Sequence, residues 1–294
     1  MLYILLQKFI YEVLLIGSQI KLIPRDINNI CQTVKFNPSR SYKEKDSLKV
    51  LVIVHAYWPH QFREIIVRLN KIKMSLTVAV AIPESENSTQ IVGLVSNISK
   101  HHKVNKIHVS NNGRNVGSLF RCIDIFLVEN WDLVIMIHTK ASQKFWFKSL
   151  LKSLIMSDRR IYRHVMMLEK FPNSIIVHPL FRFPGHRQPI KEPATRRLRN
   201  ILKRKKIEMP KFWFFPAGFM FSASPKTLIS FKNECEIIGI DSFESEENYT
   251  QGSTAHVCER YIGVYLYKNQ SSLISSSIID FLDLEALIAR LTHI

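Results

Sequence analysis

The sequence has 294 residues and contains no C-x-x-C pair and no H-E-x-x-H run among its 4 cysteines and 11 histidines. That spacing excludes zinc ribbons and helix-borne zinc hydrolase sites, and no metal site is expected. Cys31, Cys122, Cys235 and Cys258 stand far apart among apolar neighbours. They read as buried free thiols in a reducing compartment rather than a disulfide framework. His101 and His102 are adjacent and cannot share one helix face, so a surface position is expected for the pair. Acidic residues are scarce: 24 Asp and Glu stand against 41 Lys and Arg, a net charge of +17. A field of that sign suits an anionic partner, whether a nucleotide sugar, an acidic lipid surface or nucleic acid. Nucleic acid is the weakest of these, because no zinc-finger, RNP-type or helix-turn-helix pattern accompanies the charge. Uninterrupted apolar runs of membrane-spanning length are missing as well. Residues 2–23 are mostly apolar, but Lys8 and Glu12 break them, short of the roughly 20 residues a spanning helix needs. The segment also lacks the charge order and cleavage site of a signal peptide. Lys8 and Glu12 are four apart and can pair on one stripe, leaving a helix that docks on protein, lies in a membrane interface or, less readily, spans. No internal repeat is evident.

What is present is a core. Hydrophobic residues make up 46% of the chain and Phe alone numbers 18, which argues against disorder despite the charge. After the apolar segment and a polar linker over residues 35–49, with residues 1–48 as a unit, one α/β domain is expected over 49–294. Val50 to Val54 is a continuous β-branched and Leu run, the mark of a strand buried on both faces. Apolar residues at 62, 65, 66 and 69 predict a helix over 59–72, and a strand over 76–82 and a helix over 90–99 follow. Further helices are predicted over 118–128, 144–154, 158–170, 226–238 and 254–262, with strands over 133–137 and 174–179. Residues 213–221 read as a strand pair, residues 266–273 as a strand, and residues 278–291 as an amphipathic tail. Alternating strand and helix means a mostly parallel sheet covered by helices. Between them, residues 181–211 form a basic insertion in which Arg196, Arg197, Arg199, Lys203, Arg204, Lys205 and Lys206 face only Glu192 and Glu208. Its later half predicts a basic helix, whose charge can equally be a solvated face.

Two apolar runs end in polar groups. One is Ile107-His108-Val109-Ser110-Asn111-Asn112-Gly113-Arg114-Asn115-Val116-Gly117, and the other is Asp132-Leu133-Val134-Ile135-Met136-Ile137-His138-Thr139-Lys140. In an open α/β sheet, ligands bind outside the carboxyl ends of parallel strands, so the two polar ends are expected over one crevice. Gly113 and Gly117 bracket Arg114 and Asn115, an arrangement that lets backbone N–H groups approach an anion while a guanidinium takes its oxygens. The same residues also fit a plain turn between strand and helix.

Three further segments accompany these. Val50-Leu51-Val52-Ile53-Val54-His55-Ala56-Tyr57-Trp58-Pro59 lies upstream; Phe214-Phe215-Pro216-Ala217-Gly218-Phe219-Met220-Phe221 and Gly252-Ser253-Thr254-Ala255-His256-Val257-Cys258-Glu259-Arg260 lie downstream. In this order the five blocks resemble the rhamnan synthesis protein F family of bacterial surface-polysaccharide proteins, over about residues 48–265. The resemblance implies a GT-A-like fold and a glycosyltransferase that builds rhamnose-containing glycans. It implies a nucleotide-sugar donor, dTDP-rhamnose for preference, and a lipid-linked glycan acceptor. It also implies other polysaccharide synthesis enzymes as partners, and a cytoplasmic location peripheral to the inner membrane.

GT-A enzymes commonly neutralise the leaving diphosphate with a divalent metal at an Asp-x-Asp strand end. Here the strand ends His138-Thr139-Lys140, without a carboxylate. The inference is a metal-independent site in which Lys140 and Arg114 replace the ion. Donor binding is assigned to His55, Tyr57, Asn111, Gly113, Arg114, Asn115, Gly117, His138 and Thr139, with Tyr57 and Trp58 offering aromatic faces. Sugar or acceptor contact is assigned to Ala217, Gly218, Gln251, Glu259 and Arg260. The resemblance leads one to expect Arg, Asp and Asp where Asn112, Asn115 and Gln251 stand. Glutamine cannot take a proton, so the general base passes to a neighbouring carboxylate, Glu244, Glu246 or Glu247, or to His256, whose imidazole titrates near neutrality. Glu247, His256 and Lys140 are the catalytic candidates, although Glu259 and Arg260 share a helix face with His256 and also suit a structural network. The loss of charge at three positions keeps a second reading open, a noncatalytic member that binds nucleotide or glycan and tethers a synthase complex at the membrane.

Overall fold

Two strands without an exposed residue form the centre of the sheet: β1 (Val50–His55) and β4 (Leu133–His138). They run parallel and in register, from Val50 opposite Leu133 to His55 opposite His138. Each fully buried Leu or Ile side chain in them contributes about 1.5–3 kcal/mol. The computed structural model describes residues 48–276 apart from 141–143, 190 and 249. The helix expected at 2–23, most of the linker, Cys31 and the tail at 278–291 lie outside the described residues.

β2 (Thr77–Pro83) pairs with β1, and β3 (Lys103–Val109) with β2, both in parallel. On the other side of β4 come β8 (Phe221–Ala223), β5 (Ile175–Val177) and β9 (Leu273–Ser275), giving seven strands in the order β3-β2-β1-β4-β8-β5-β9. Only β8 runs antiparallel to its neighbours. The chain thus winds outward from β1 through β2 to β3, then returns to place β4 on the opposite flank of β1. A direction reversal of this kind is a topological switch point.

Helices cover the sheet: α1 (Pro59–Leu69), α2 (Ser88–Val95), α3 (Arg114–Phe126), α4 (Lys144–Ile155), α5 (Asp158–Lys170), α6 (Pro193–Arg204), α7 (Pro225–Ile238) and α8 (Thr254–Lys268). Their starts follow the sequence chemistry. Proline sits in the first turn of α1, α6 and α7, where its missing N–H is no loss. The side chains of Ser157, Glu192 and Ser224 accept N–H bonds at the starts of α5, α6 and α7.

The structure departs from the sequence reading in four places. First, α8 runs on to Lys268, so the strand expected at 266–273 shrinks to β9. Tyr261 and Tyr265 explain this, for at four-residue spacing both rings pack on Phe231, and the helical period prevails over local β-propensity. Second, the basic insertion contains β6 (Arg182–Pro184), which pairs antiparallel with β7 (Phe214–Pro216), before α6 begins. Third, α6 is a solvated basic face on one side only: it buries Ala194, Leu198, Ile201 and Leu202, exposes Arg196, Lys203 and Arg204, and holds Arg197 and Arg199 half-buried. Fourth, His102 is buried rather than on the surface: its Nδ1 accepts the Leu76 N–H, which leaves Nε2–H to donate to the Leu69 carbonyl. Cys122, Cys235 and Cys258 are buried free thiols, and burial pushes Cys122 up to about 12, which keeps it protonated.

Candidate functional site

Outside the carboxyl ends of β1 and β4 lies a cavity of about 700 Å³, a size usual for small-molecule sites. One wall comprises the strand ends and the start of α3. The other comprises the turn at 217–219 and one face of α8. Tyr57, Trp58, Trp146, Phe183 and Phe215 add aromatic surface.

The strand ends are tied together through side chains that meet backbone. The Thr139 hydroxyl accepts N–H bonds from Tyr57 at 2.9 Å and Trp58 at 3.0 Å. The Thr139 amide donates to the His55 carbonyl. The Gln61 side-chain amide, buried on α1, pairs with both the N–H and the carbonyl of Lys140. Thr139 therefore holds the loop after β1 while lining the cavity, and with both lone pairs engaged its O–H is left to donate. Lys140 itself projects over the Trp146 ring, its Nζ 3.8 Å from the centroid, a cation–π contact. Burial lowers its pKa from the ordinary lysine value, while the charge of Glu259 works the other way.

His55 and His138 lie side by side and buried. Burial, then the charges of His138 and Arg114, bring His55 down to about 3, so it is neutral near pH 7 and bonds the Ser118 hydroxyl through Nδ1. His138 faces two carbonyls, Thr139 through Nδ1 and Gly218 through Nε2. A neutral imidazole can donate to only one of them. Burial lowers its pKa, and the two carbonyls oppose that shift.

The start of α3 brings Arg114, Asn115 and Val116 to the cleft. No side chain caps this helix, and its first residues line the cavity, which puts its positive dipole end at the cleft. The expectation for the flanking glycines needs correction. A Cβ on Gly113, whose φ is 69°, would fall 2.4 Å from the Phe243 ring, and one on Gly117 would fall 2.1 Å from the Asn112 carbonyl oxygen. Protein fills the Cβ space of both glycines, the Gly117 N–H donates to the Gly113 carbonyl at 3.1 Å, and neither residue lines the cavity. Arg114 shares the left-handed conformation with φ of 50°, a strained state for a residue with a side chain. Asn111 is buried at the rim, and neither atom of its amide has a hydrogen-bond partner among the described residues.

The opposite wall is built from charges that answer one another. Glu259 accepts the Gly218 N–H at 2.7 Å through Oε1 and meets Arg260 at 3.2 Å through Oε2. Arg260 lies over the Phe215 ring and approaches Glu192 at 3.7 Å. Gly218 has a φ of 84°, and a Cβ there would press on Leu150 and Trp146 at 3.3 Å. That left-handed turn, with Ala217 beside it, presents its amide to Glu259 and its carbonyl to His138. Glu259 is the only carboxylate among the described residues lining the cavity, against Arg114, Lys140 and Arg260. His256 also lines it. Its Nδ1 must donate to the Thr250 carbonyl, 3.0 Å away, leaving Nε2 as the basic nitrogen. Burial lowers its pKa, which keeps it neutral near pH 7, and Glu259 partly offsets the shift.

The carboxylates proposed from sequence fall elsewhere. Glu247 is exposed on a 3-10 turn and does not line the cavity. Glu244 accepts the Thr254 N–H at 2.8 Å at the start of α8 and pairs with Arg197 at 2.6 Å. Burial works against its ionised form, but those bonds hold it below the usual carboxylate range. Gln251 is exposed at the rim. Gln61, Ser118, Trp146, Phe183 and Gln188 belong to the site and were not singled out from sequence. Gln61 did leave a signal, as a polar residue on the apolar stripe of α1. Among the described residues no group of three or more His, Cys, Asp or Glu could hold a metal ion. No described helix is long and apolar enough to cross a membrane.

A family model for rhamnan synthesis protein F matches residues 1–272. The chain belongs to that family. The match extends beyond the five sequence blocks on both sides and takes in the basic insertion. No curated protein matches the chain. Membership of the rhamnan synthesis protein F family ties the chain to rhamnan polysaccharide synthesis and is consistent with a glycosyltransferase-like role.

Proposed function

We propose that the cleft is the donor site of a GT-A-type glycosyltransferase that moves a sugar, rhamnose from dTDP-rhamnose, to a lipid-linked glycan at the cytoplasmic face of the inner membrane. The observation that carries this reading is the meeting of Arg114, Lys140 and the uncapped start of α3 in one cavity at the switch point of the sheet. A departing nucleoside diphosphate gathers negative charge as its bond to the sugar C1 breaks. Fixed cations in a partly dry cleft stabilise that charge most in the transition state, and here they stand in for a divalent ion. The acceptor hydroxyl oxygen bonds to C1, its proton passes to His256 Nε2, and the electron pair of the broken bond leaves with the diphosphate. Glu259 holds the 217–219 turn against the sugar. Tyr57 and Trp58 offer the base a face to stack on.

Sugar transfer or donor hydrolysis by the full chain, compared with Lys140→Ala and His256→Gln, tests the reading. It expects turnover that both substitutions remove. Exposed Gln251, together with the engagement of both Glu259 oxygens, favours a second reading, in which the chain binds nucleotide or glycan without catalysis and tethers a synthase complex. In that case dTDP binds, Lys140→Ala weakens it, and no turnover exists to lose.

A further inference from the structure

The cleft is not the only basic concavity. A groove of about 620 Å³ runs between α6 and residues 250–252 and is lined by Arg196, Arg197, Asn200, Arg204, Gln251 and Gly252. Arg196, Asn200 and Arg204 recur every four residues and so form one stripe, about 12 Å long at 1.5 Å per residue. The cations in this groove differ in what they do. Arg197 is spent on structure, donating to Glu244, to the Gly252 carbonyl at 2.9 Å and to Thr254 Oγ1 at 3.0 Å. Those bonds fix the far bank of the groove against α6. Arg196 and Arg204 are exposed, and neither side chain has a hydrogen bond or ion pair among the described residues. Gln251 lines both the groove and the cleft, so the two concavities meet at one side chain.

We propose that this groove binds the phosphate or diphosphate group of the second substrate, an anionic acceptor whose hydroxyl reaches the cleft past Gln251. The proposal rests on the transferase reading of the cleft. Guanidinium groups in a row match phosphate oxygens in fork geometry, and the exposed amides of Asn200 and Gln251 add neutral donors. The spatial division gives each anion its own cations: Arg114 and Lys140 for the leaving diphosphate, Arg196 and Arg204 for the acceptor. Two like-charged substrates can then bind in adjoining concavities without sharing a counter-charge.

Inorganic pyrophosphate is the probe, titrated calorimetrically into the full chain at low salt. The wild-type protein is expected to show two sites. Arg196→Gln/Arg204→Gln is expected to weaken one of them about tenfold, which corresponds to about 1.4 kcal/mol for two exposed cations. Lys140→Ala is expected to weaken the other. Both variants should retain the wild-type far-UV circular dichroism. A single wild-type site, or two sites untouched by the double substitution, overturns the proposal. Two sites of which Lys140→Ala affects neither leave the groove standing and remove the cleft reading instead. Sedimentation with phosphatidylcholine vesicles containing phosphatidylglycerol separates the remaining source of phosphate. If the double variant loses vesicle binding while its pyrophosphate titration matches wild type, the row serves a lipid surface and the acceptor proposal is wrong.

Discussion

The two walls of the cleft are held together by opposite means. On the strand-end wall, polar side chains are anchored to backbone, as with Thr139 on the amides of residues 57 and 58 and Gln61 on Lys140. The Lys140 ammonium meets an aromatic ring there instead of a carboxylate. On the α8 wall, charges are consumed in pairs: Glu259 with Arg260, and Arg260 with Glu192. The difference shows where a ligand's charge can be met. Internal pairing commits most of one wall's charge to geometry, although Glu259 is still felt at Lys140, while Arg114 and Lys140 bring positive charge to the other.

Substitutions on the two walls should therefore fail differently, and the largest difference is expected in turnover. Lys140→Ala should lower kcat by about 10²–10³-fold, the usual cost of removing one group that stabilises developing charge, with a thermal midpoint near wild type. Steady-state kinetics beside a melting curve checks both halves, and a folded variant with full turnover would erase the distinction between the walls. Gly117→Ala attacks the frame instead. The new Cβ meets a backbone carbonyl oxygen at 2.1 Å, and the loss expected in urea unfolding is about 3 kcal/mol.

Acid should strike the strand-end wall first. His55 has a folded-state pKa of about 3 against 6.5 in the unfolded chain, so the unfolded state binds protons that the folded state refuses. The stability tied to neutral His55 is complete above pH 6.5 and declines as pH falls toward 3, a loss of about 3 kcal/mol by pH 4. His138, and beyond this wall the buried His164 of α5 beside Ser222, are both lowered by burial and push the same way. Unfolding free energies measured from pH 7.5 to pH 4 should slope accordingly, and a flat profile would mean that these rings are solvated.

Thr139→Val leaves two amides without their acceptor and should cost about 2 kcal/mol, with a rise in KM for the donor as the 57–58 loop loosens. A KM shift absent from an otherwise destabilised variant would place that loop outside the donor site. The smallest effect is expected at Glu247→Gln, which should keep turnover within about twofold, since exposed side chains outside a site are usually neutral. A large loss there would restore the base assignment that the geometry withdraws.

Most of this architecture was legible in the residues, for reasons that also explain the gaps. The β-branched run at 50–54 and the apolar run at 133–137 read as buried parallel strands because they are short, rich in β-branched or large apolar side chains, and bounded by polar groups. The convergence of their polar ends follows from the switch-point rule. The length of α8 was hidden because residues 266–268 read as the start of a strand, whereas packing such as that of Tyr261 and Tyr265 on Phe231, distant in sequence, favours helix. Gly113 and Gly117 were visible as a turn, and the Asn112 carbonyl against Gly117 is local to it, but the Phe243 ring against Gly113 comes from a distant part of the chain. Glu244 and Glu247 are near neighbours in sequence but have unrelated surroundings, which no spacing rule separates.

Titration of dTDP into wild type, Arg114→Ala and Lys140→Ala, with EDTA present throughout, tests the central claim most directly, namely that protein cations meet the donor diphosphate. The account predicts measurable wild-type affinity without divalent ions and at least about tenfold weaker binding in each variant. Equal affinity in all three proteins, or wild-type binding that appears only when magnesium or manganese is restored, would contradict it.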